Sequence, residues 1–242
     1  MWSFYFSQLF VLFGMTAGFT REYKYFPMSM TWTDAQKYCK QNYRGLAVIT
    51  TEEEVQRMLN TGGNLTLNWI GMYRSMVNPA IWLWEDGKQS TFFRWKIGEP
   101  NNLNGNENCV HTQPYGWNDR FCGEHFPFYC YRILVLVNEK KTWEEADSYC
   151  RMNYIGLVSL VSETQIQLFE LESNQTQTDK VWIGLRFLNG KWLSVSTEPL
   201  GTQPVSLPSC PVTPYRCGAH NTKTHILENI NCDDKLSFIC YY

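Results

Sequence analysis

Apolar and polar positions fall along this chain in two matching series behind one uniform run. Residues 1–18, MWSFYFSQLFVLFGMTAG, are almost wholly apolar and uncharged. The apolar core is short, and Thr16, Ala17 and Gly18 offer a small-residue cleavage site, so the run reads as a signal peptide of a secreted chain. The alternative is an uncleaved N-terminal anchor holding an extracellular protein at a membrane, for which the run is short. Beyond it, apolar strands are expected at Lys24–Met30 and Ile133–Val137. A helix follows each, opened by Thr31 with Asp34 and by Thr142 with Glu145, and the second pair fits the capping-box pattern better. Further helices are expected over Glu52–Leu59 and Glu163–Leu171. The remainder reads as short strands and long loops, with turn signals at Glu85-Asp86-Gly87 and Asn189-Gly190.

Sliding the sequence by about 110 residues brings it into register with itself. Thr31-Trp32-Thr33-Asp34-Ala35 falls on Thr142-Trp143-Glu144-Glu145-Ala146, and Tyr38-Cys39 on Tyr149-Cys150. Gly45-Leu46 falls on Gly156-Leu157, Trp69-Ile70-Gly71 on Trp182-Ile183-Gly184, and Phe128-Tyr129-Cys130 on Phe238-Ile239-Cys240. A period this long means two tandem domains, placed at 20–131 and 132–242, and the 242 residues suffice for two of ordinary size. Almost no linker separates them, so no flexible tether is expected.

Composition narrows the class. The net charge is −2 and is even in both halves, so no basic face invites nucleic acid. Nine cysteines behind a signal peptide read as a disulfide framework. The sequons at Asn64 and Asn174 are candidate N-glycosylation sites that suit the secretory route. There is no H-E-x-x-H and no G-x-S-x-G, and His111, His125, His220 and His225 have no evident nucleophile to serve, so an enzyme is not expected.

One stretch concentrates chemistry. Glu99-Pro100-Asn101, Glu107 and Trp117-Asn118-Asp119 are threaded around Cys109 and Cys122. They gather three carboxylates and two side-chain amides, a set of hard oxygen donors that suits Ca²⁺. His111 and His125 have no partner at zinc-like spacing. The structural alternative is a solvated acidic loop, with Trp69, Trp182 and Trp117 as packing residues.

The ordered motifs T-W-x-x-A-x-x-Y-C, W-I-G, G-E-P-N-N, W-N-D-x-x-C and a closing F-x-C resemble the C-type lectin-like domain, and the scaffold motifs do so twice. The pair looks like domains of the macrophage mannose receptor family. The resemblance implies an α+β fold in two tandem domains, each with two helices, short antiparallel sheets and a long disulfide-pinned loop region. It implies one Ca²⁺ held in the first domain by Glu99, Asn101, Glu107, Asn118 and Asp119, with Pro100 as a cis-proline. An auxiliary ion is not expected, because Asn102 and Asn108 stand where family members with one place acids. The order E-P-N implies glycans with equatorial 3- and 4-hydroxyls, namely mannose, N-acetylglucosamine or fucose, and a role in innate immune glycan recognition.

The pairs Cys39–Cys130, Cys109–Cys122, Cys150–Cys240 and Cys217–Cys232 complete the resemblance, although spacing alone leaves connectivity open. Cys210 is left over, as a free thiol, a link across a dimer, or a competitor of Cys217 for Cys232. Clustering or a disulfide-linked oligomer would supply avidity that one weak sugar site lacks. The second domain has no E-P-N, and Leu227-Glu228-Asn229 stands where the first has Trp117-Asn118-Asp119. No calcium is expected there, and a protein partner is one role left to it. The runner-up function is a calcium-independent protein-binding module on the same scaffold, and ice binding is a third.

Overall fold

The computed structural model describes residues 20–63, 66–160, 162–196, 207 and 211–242. The N-terminal apolar run, the Asn64 sequon, Cys210 and the Glu198-Pro199-Leu200 segment lie outside the described residues. The first repeat comprises β1 (Arg21–Met30), α1 (Trp32–Asn42), β2 (Gly45–Leu46), α2 (Glu52–Leu59), β3 (Asn68–Arg74), β4 (Trp82–Trp84), β5 (Cys109–Gln113) and β6 (Gly116–Arg120). A long strand, β7 (Phe126–Lys141), leads into α3 (Trp143–Asn153), β8 (Gly156–Leu157) and α4 (Glu163–Ser173). The second repeat ends with β9 (Lys180–Leu188), β10 (Lys191–Ser194), β11 (Cys217–Asn221), β12 (Leu227–Ile230) and β13 (Leu236–Tyr241).

The helices begin where polar caps stand. Thr31 accepts from the Asp34 amide and Thr51 from the Glu54 amide, satisfying donors that have no partner inside the helix. Thr142 and Glu145 form the full reciprocal capping box at the start of α3. The last helix runs two residues past the expected Leu171, to Ser173, and Asn174 lies exposed at its end. Asn189 and Gly190 take φ of 50° and 77°, the left-handed pair that a two-residue β9–β10 hairpin requires.

The repeat is physical as well as textual. Trp69 and Trp182 are fully buried, and their indole N–H groups donate to equivalent carbonyls, Met30 at 3.0 Å and Lys141 at 2.9 Å. Trp32 and Trp143 donate likewise to Ile70 and Ile183, each at 2.8 Å. A buried indole needs such an acceptor, so each tryptophan fixes a helix or strand as well as filling space. Disulfides join Cys39 to Cys130 and Cys150 to Cys240, tying the first helix of each repeat to its closing strand. Two more, Cys109–Cys122 and Cys217–Cys232, pin the loop regions.

The junction differs from a simple boundary. The sequence places a break between Tyr131 and Arg132, but β7 passes through it as one strand of 16 residues. Its first part pairs antiparallel with β1, from Phe126 opposite Met30 to Ile133 opposite Arg21. Its second part pairs with β13, from Leu134 opposite Tyr241 to Lys141 opposite Leu236. One 13-stranded sheet therefore runs through both repeats in the order β12-β11-β9-β13-β7-β3-β5-β6, with the remaining strands on its margins. It is not wholly antiparallel: β3 meets β7, and β13 meets β9, in parallel.

Glu85, in the turn after β4, is packed against Gly45 and Gly71, where a Cβ would collide with its side chain or with backbone carbonyls. Burial pushes its carboxyl up to about 7 against weaker help from Lys40 and a Gln36 hydrogen bond. The folded form thus holds a proton that the unfolded chain releases near the ordinary carboxylate range. The associated stability is full below that range and is lost as pH rises through about 7. Glu85→Gln is expected to remove this loss, giving a gain on the order of 1–3 kcal/mol at pH 8 and little change at pH 4.5. Urea titrations at both pH values measure it, and equal shifts at both would contradict the assignment.

Candidate functional site

The long segment between β4 and β5 is anchored before it reaches the acidic residues. The Lys96 amide donates to the Trp117 carbonyl at 2.9 Å, and the Trp117 amide donates to the Arg94 carbonyl at 2.6 Å. Gly116, at φ 153°, permits this approach, since a Cβ there would press on the backbone of Arg94 and Lys96. Beyond the anchor the Glu99–Pro100 peptide bond is cis. Asn102 and Asn104 follow in left-handed conformations, curling the chain into a short turn over Leu103–Gly105.

This curl meets the end of β6. Asp119 is fully buried, and its Oδ1 accepts from the Asn101 amide at 3.1 Å. Its Oδ2 accepts from the Asn102 amide at 3.0 Å and from Arg74 Nη2 at 2.7 Å. Glu107, also buried, accepts at Oε2 from the Leu103 amide at 2.9 Å, and Asn101 Oδ1 accepts from the same amide. Asn102 Oδ1 accepts in turn from the Glu107 amide. Side chains from the loop, from the edge of β5 and from β6 are thus held together by their own backbone donors.

Two oxygens in this group have no hydrogen-bond partner although they are out of water, Glu99 Oε2 and Asn118 Oδ1. The Glu99 carboxyl is raised above its ordinary value by loss of water first, then by the charges of Asp119 and Glu107. A carboxyl raised by loss of water and by two neighbouring charges, beside orphaned acceptors, belongs to a set that a cation would satisfy. The donors are all oxygen and of mixed charge, which fits Ca²⁺. The three carboxylates do not close into one tight cluster. Among the described residues, the tight triads with ligand atoms within 4.8 Å of one another are Glu144-Cys217-Cys232 and Glu170-His220-His225. In the first, both cysteines are spent in a disulfide.

Arg74, at the end of β3, has no place in the sequence reading. Its guanidinium contacts Asp119, donates through Nε to the Glu107 carbonyl at 3.2 Å, and lies 4.3 Å over the Trp82 ring. It braces two members of the set from behind. Its partner Asp119 lies 45 positions away, so spacing carries no signal for it. His111 is a packing residue: buried near Trp69 and Phe126, its pKa is lowered to about 4 by burial.

The second repeat treats the same places differently. Glu228, on β12, is bound by Lys180 at 2.6 Å and by Asn221 at 2.8 Å, and its carboxyl is lowered chiefly by the Lys180 contact. Asn229 donates to the Tyr215 carbonyl. The Glu228 oxygens are satisfied within the protein, where its counterpart Asn118 leaves Oδ1 open.

Two α+β repeats on a shared strand, each closed by a helix-to-strand disulfide and one bearing an oxygen-lined loop, define a tandem C-type lectin-like protein. The family model described as the Lectin C-type domain matches residues 28–132 and again 139–242, so the chain belongs to the C-type lectin domain family. Among curated relatives, a lectin of Pleurodeles waltl is 33% identical over 126 residues, covering 48% of this chain and 73% of that protein. A C-type lectin of Thrasops jacksonii, one of the lectoxins, is 38% identical over 121 residues, covering 45% of this chain and 74% of its own. Among solved structures, the mouse scavenger receptor C-type lectin carbohydrate-recognition domain aligns with a TM-score of 0.43 at 25% identity, over 49% of this chain and 97% of that one. Among the described residues no helix is long and apolar enough to cross a membrane.

Proposed function

We propose that the first repeat, residues 20–131, binds one Ca²⁺ through Glu99, Asn101, Glu107, Asn118 and Asp119, and through it a mannose-type glycan. The observation that carries this reading is the pair of orphaned oxygens, Glu99 Oε2 and Asn118 Oδ1, beside carboxylates that repel one another. Membership of a lectin family supports the glycan. When bound, the ion supplies open coordination positions that two vicinal sugar hydroxyls can fill. The chain supplies the rest. Glu99 accepts from one hydroxyl, and the Asn101 amide donates to its neighbour, so their order selects equatorial 3- and 4-hydroxyls. Arg74 and the backbone donors of Asn101, Asn102 and Leu103 hold Asp119 and Glu107 in place. The second repeat, residues 132–242, has Glu228 occupied by Lys180 and Asn221 and serves as scaffold or as a surface for a protein partner. The chain acts outside the cell, as a secreted lectin of innate glycan recognition.

The full chain is expected to be retained on mannose–agarose in calcium and released by chelator. Glu99→Gln with Asn101→Asp reverses the donor order and is expected to move retention to galactose–agarose. Flow-through in calcium would count against the reading and favour a protein-binding module, and retention that survives chelator would count against the calcium site.

A further inference from the structure

A second group of ligating side chains lies in the other repeat, between α4 and the β11–β12 hairpin. Glu170 on α4 faces His220 on β11 and His225 in the hairpin turn. One carboxylate oxygen, Glu170 Oε1, lies 3.5 Å from His220 Nε2 and 3.1 Å from His225 Nδ1. All three ligand atoms fall within 4.8 Å of one another. Around a tetrahedral zinc with bonds of about 2.0–2.1 Å, neighbouring ligand atoms stand about 3.3 Å apart, so two of these separations already match.

The independent pointer to a ligand is His220. It is only 1% exposed, and neither ring nitrogen has a hydrogen-bond partner. Its Nε2 is aimed at the Glu170 carboxylate from beyond good hydrogen-bond range. A buried polar side chain left this way is costly unless something outside the protein completes it. Phe169 packs edge-on against the ring, fixing its orientation.

We propose that Glu170, His220 and His225 form a zinc site in the second repeat, separate from the oxygen-lined loop of the first. Two imidazoles and one carboxylate suit Zn²⁺ and not Ca²⁺, which takes oxygen donors. Three protein ligands leave a fourth position, and His225 lies at the surface, so water or an outside ligand completes it. The metal would clamp α4 to the hairpin, two elements that the shared sheet does not join directly.

The test uses the untagged full chain, stripped with chelator and titrated with Zn²⁺ against a chromophoric competitor. One zinc per chain is expected at this site, with a rise in melting temperature that adds to the one produced by saturating calcium. His225→Ala changes an exposed side chain and should fold, and it should weaken zinc binding by about tenfold or more, because even supporting residues cost about that. It should also abolish the zinc-dependent rise in melting temperature. Glu99→Gln, in the other repeat, should leave both readouts unchanged. The proposal is overturned if the wild-type chain binds no zinc, if His225→Ala binds it equally well, or if Glu99→Gln is the variant that loses it. Calcium-dependent mannose retention is scored separately on the same variants, so loss of one site is not mistaken for loss of the other.

Discussion

Asp119→Asn is expected to abolish calcium-dependent mannose retention and to destabilise the first repeat by about 3–5 kcal/mol even without calcium. The two effects have one origin. Asp119 accepts from Arg74 and from the amides of Asn101 and Asn102, all of them donors. An amide in its place turns one acceptor into a donor facing a donor, and leaves Arg74 charged beside Trp82 without its counter-ion. Glu99→Gln is the contrasting case. It too should lose calcium, but the carboxyl it removes is already disfavoured by loss of water and by Asp119 and Glu107, so stability without calcium should hold or rise. Isothermal titration with calcium and urea denaturation of the stripped chains separate the two variants. An Asp119→Asn chain that kept mannose binding, or that lost less than about 1 kcal/mol, would contradict this account.

The same geometry gives a direction for pH. The Glu99 carboxyl is raised above its ordinary value, so protons compete with a cation there before they do at a free carboxylate. Retention on mannose should therefore weaken as pH falls, starting above the ordinary carboxylate range. A falling pH gradient on the calcium-loaded column measures it.

The parts of this protein that were legible in sequence are those whose cause is local. Thr31 and Thr142 mark helix starts because a cap acts within three residues. Asn189-Gly190 marks a hairpin because left-handed backbone selects those residues. Internal repetition exposed the paired tryptophans, and comparing the copies showed that Glu99, Asn101, Glu107, Asn118 and Asp119 are not needed for the scaffold. What escaped is non-local. Arg74 braces Asp119 across 45 positions, and Glu170 meets His225 across 55. The continuity of β7 also escaped, because an alternation of apolar residues does not say that a strand changes partners partway along. In sequence, His220 and His225 show only that they have no evident nucleophile to serve. In the structure, His220 and His225 share a carboxylate from a different element.

A stability effect of the same size is expected where the repeats meet. Arg132 and Glu22 are both buried and form a two-point contact, Nε to Oε2 at 2.8 Å and Nη2 to Oε1 at 3.1 Å. Gln165, from α4, donates to the same Glu22 carboxylate at 3.0 Å. The Arg132 guanidinium lies 3.5 Å over the Tyr241 ring of β13. One charged pair therefore touches strands of both repeats and a helix of the second. Removing one partner leaves the other charge out of water, which costs about 3–5 kcal/mol. Glu22→Ala should lower stability by that amount and, because the contact spans the junction, should also split the thermal transition in two. Wild-type unfolding is expected as one calorimetric transition, since β7 and the Glu22–Arg132 contact together couple the repeats. Replacing both groups, as Glu22→Leu with Arg132→Met, should restore most of the loss, because no charge is then stranded. A single transition in Glu22→Ala at the wild-type temperature would show that the shared strand alone couples the repeats. A double variant as unstable as the single would show that hydrogen bonding to Gln165 and packing on Tyr241 matter more than the charge.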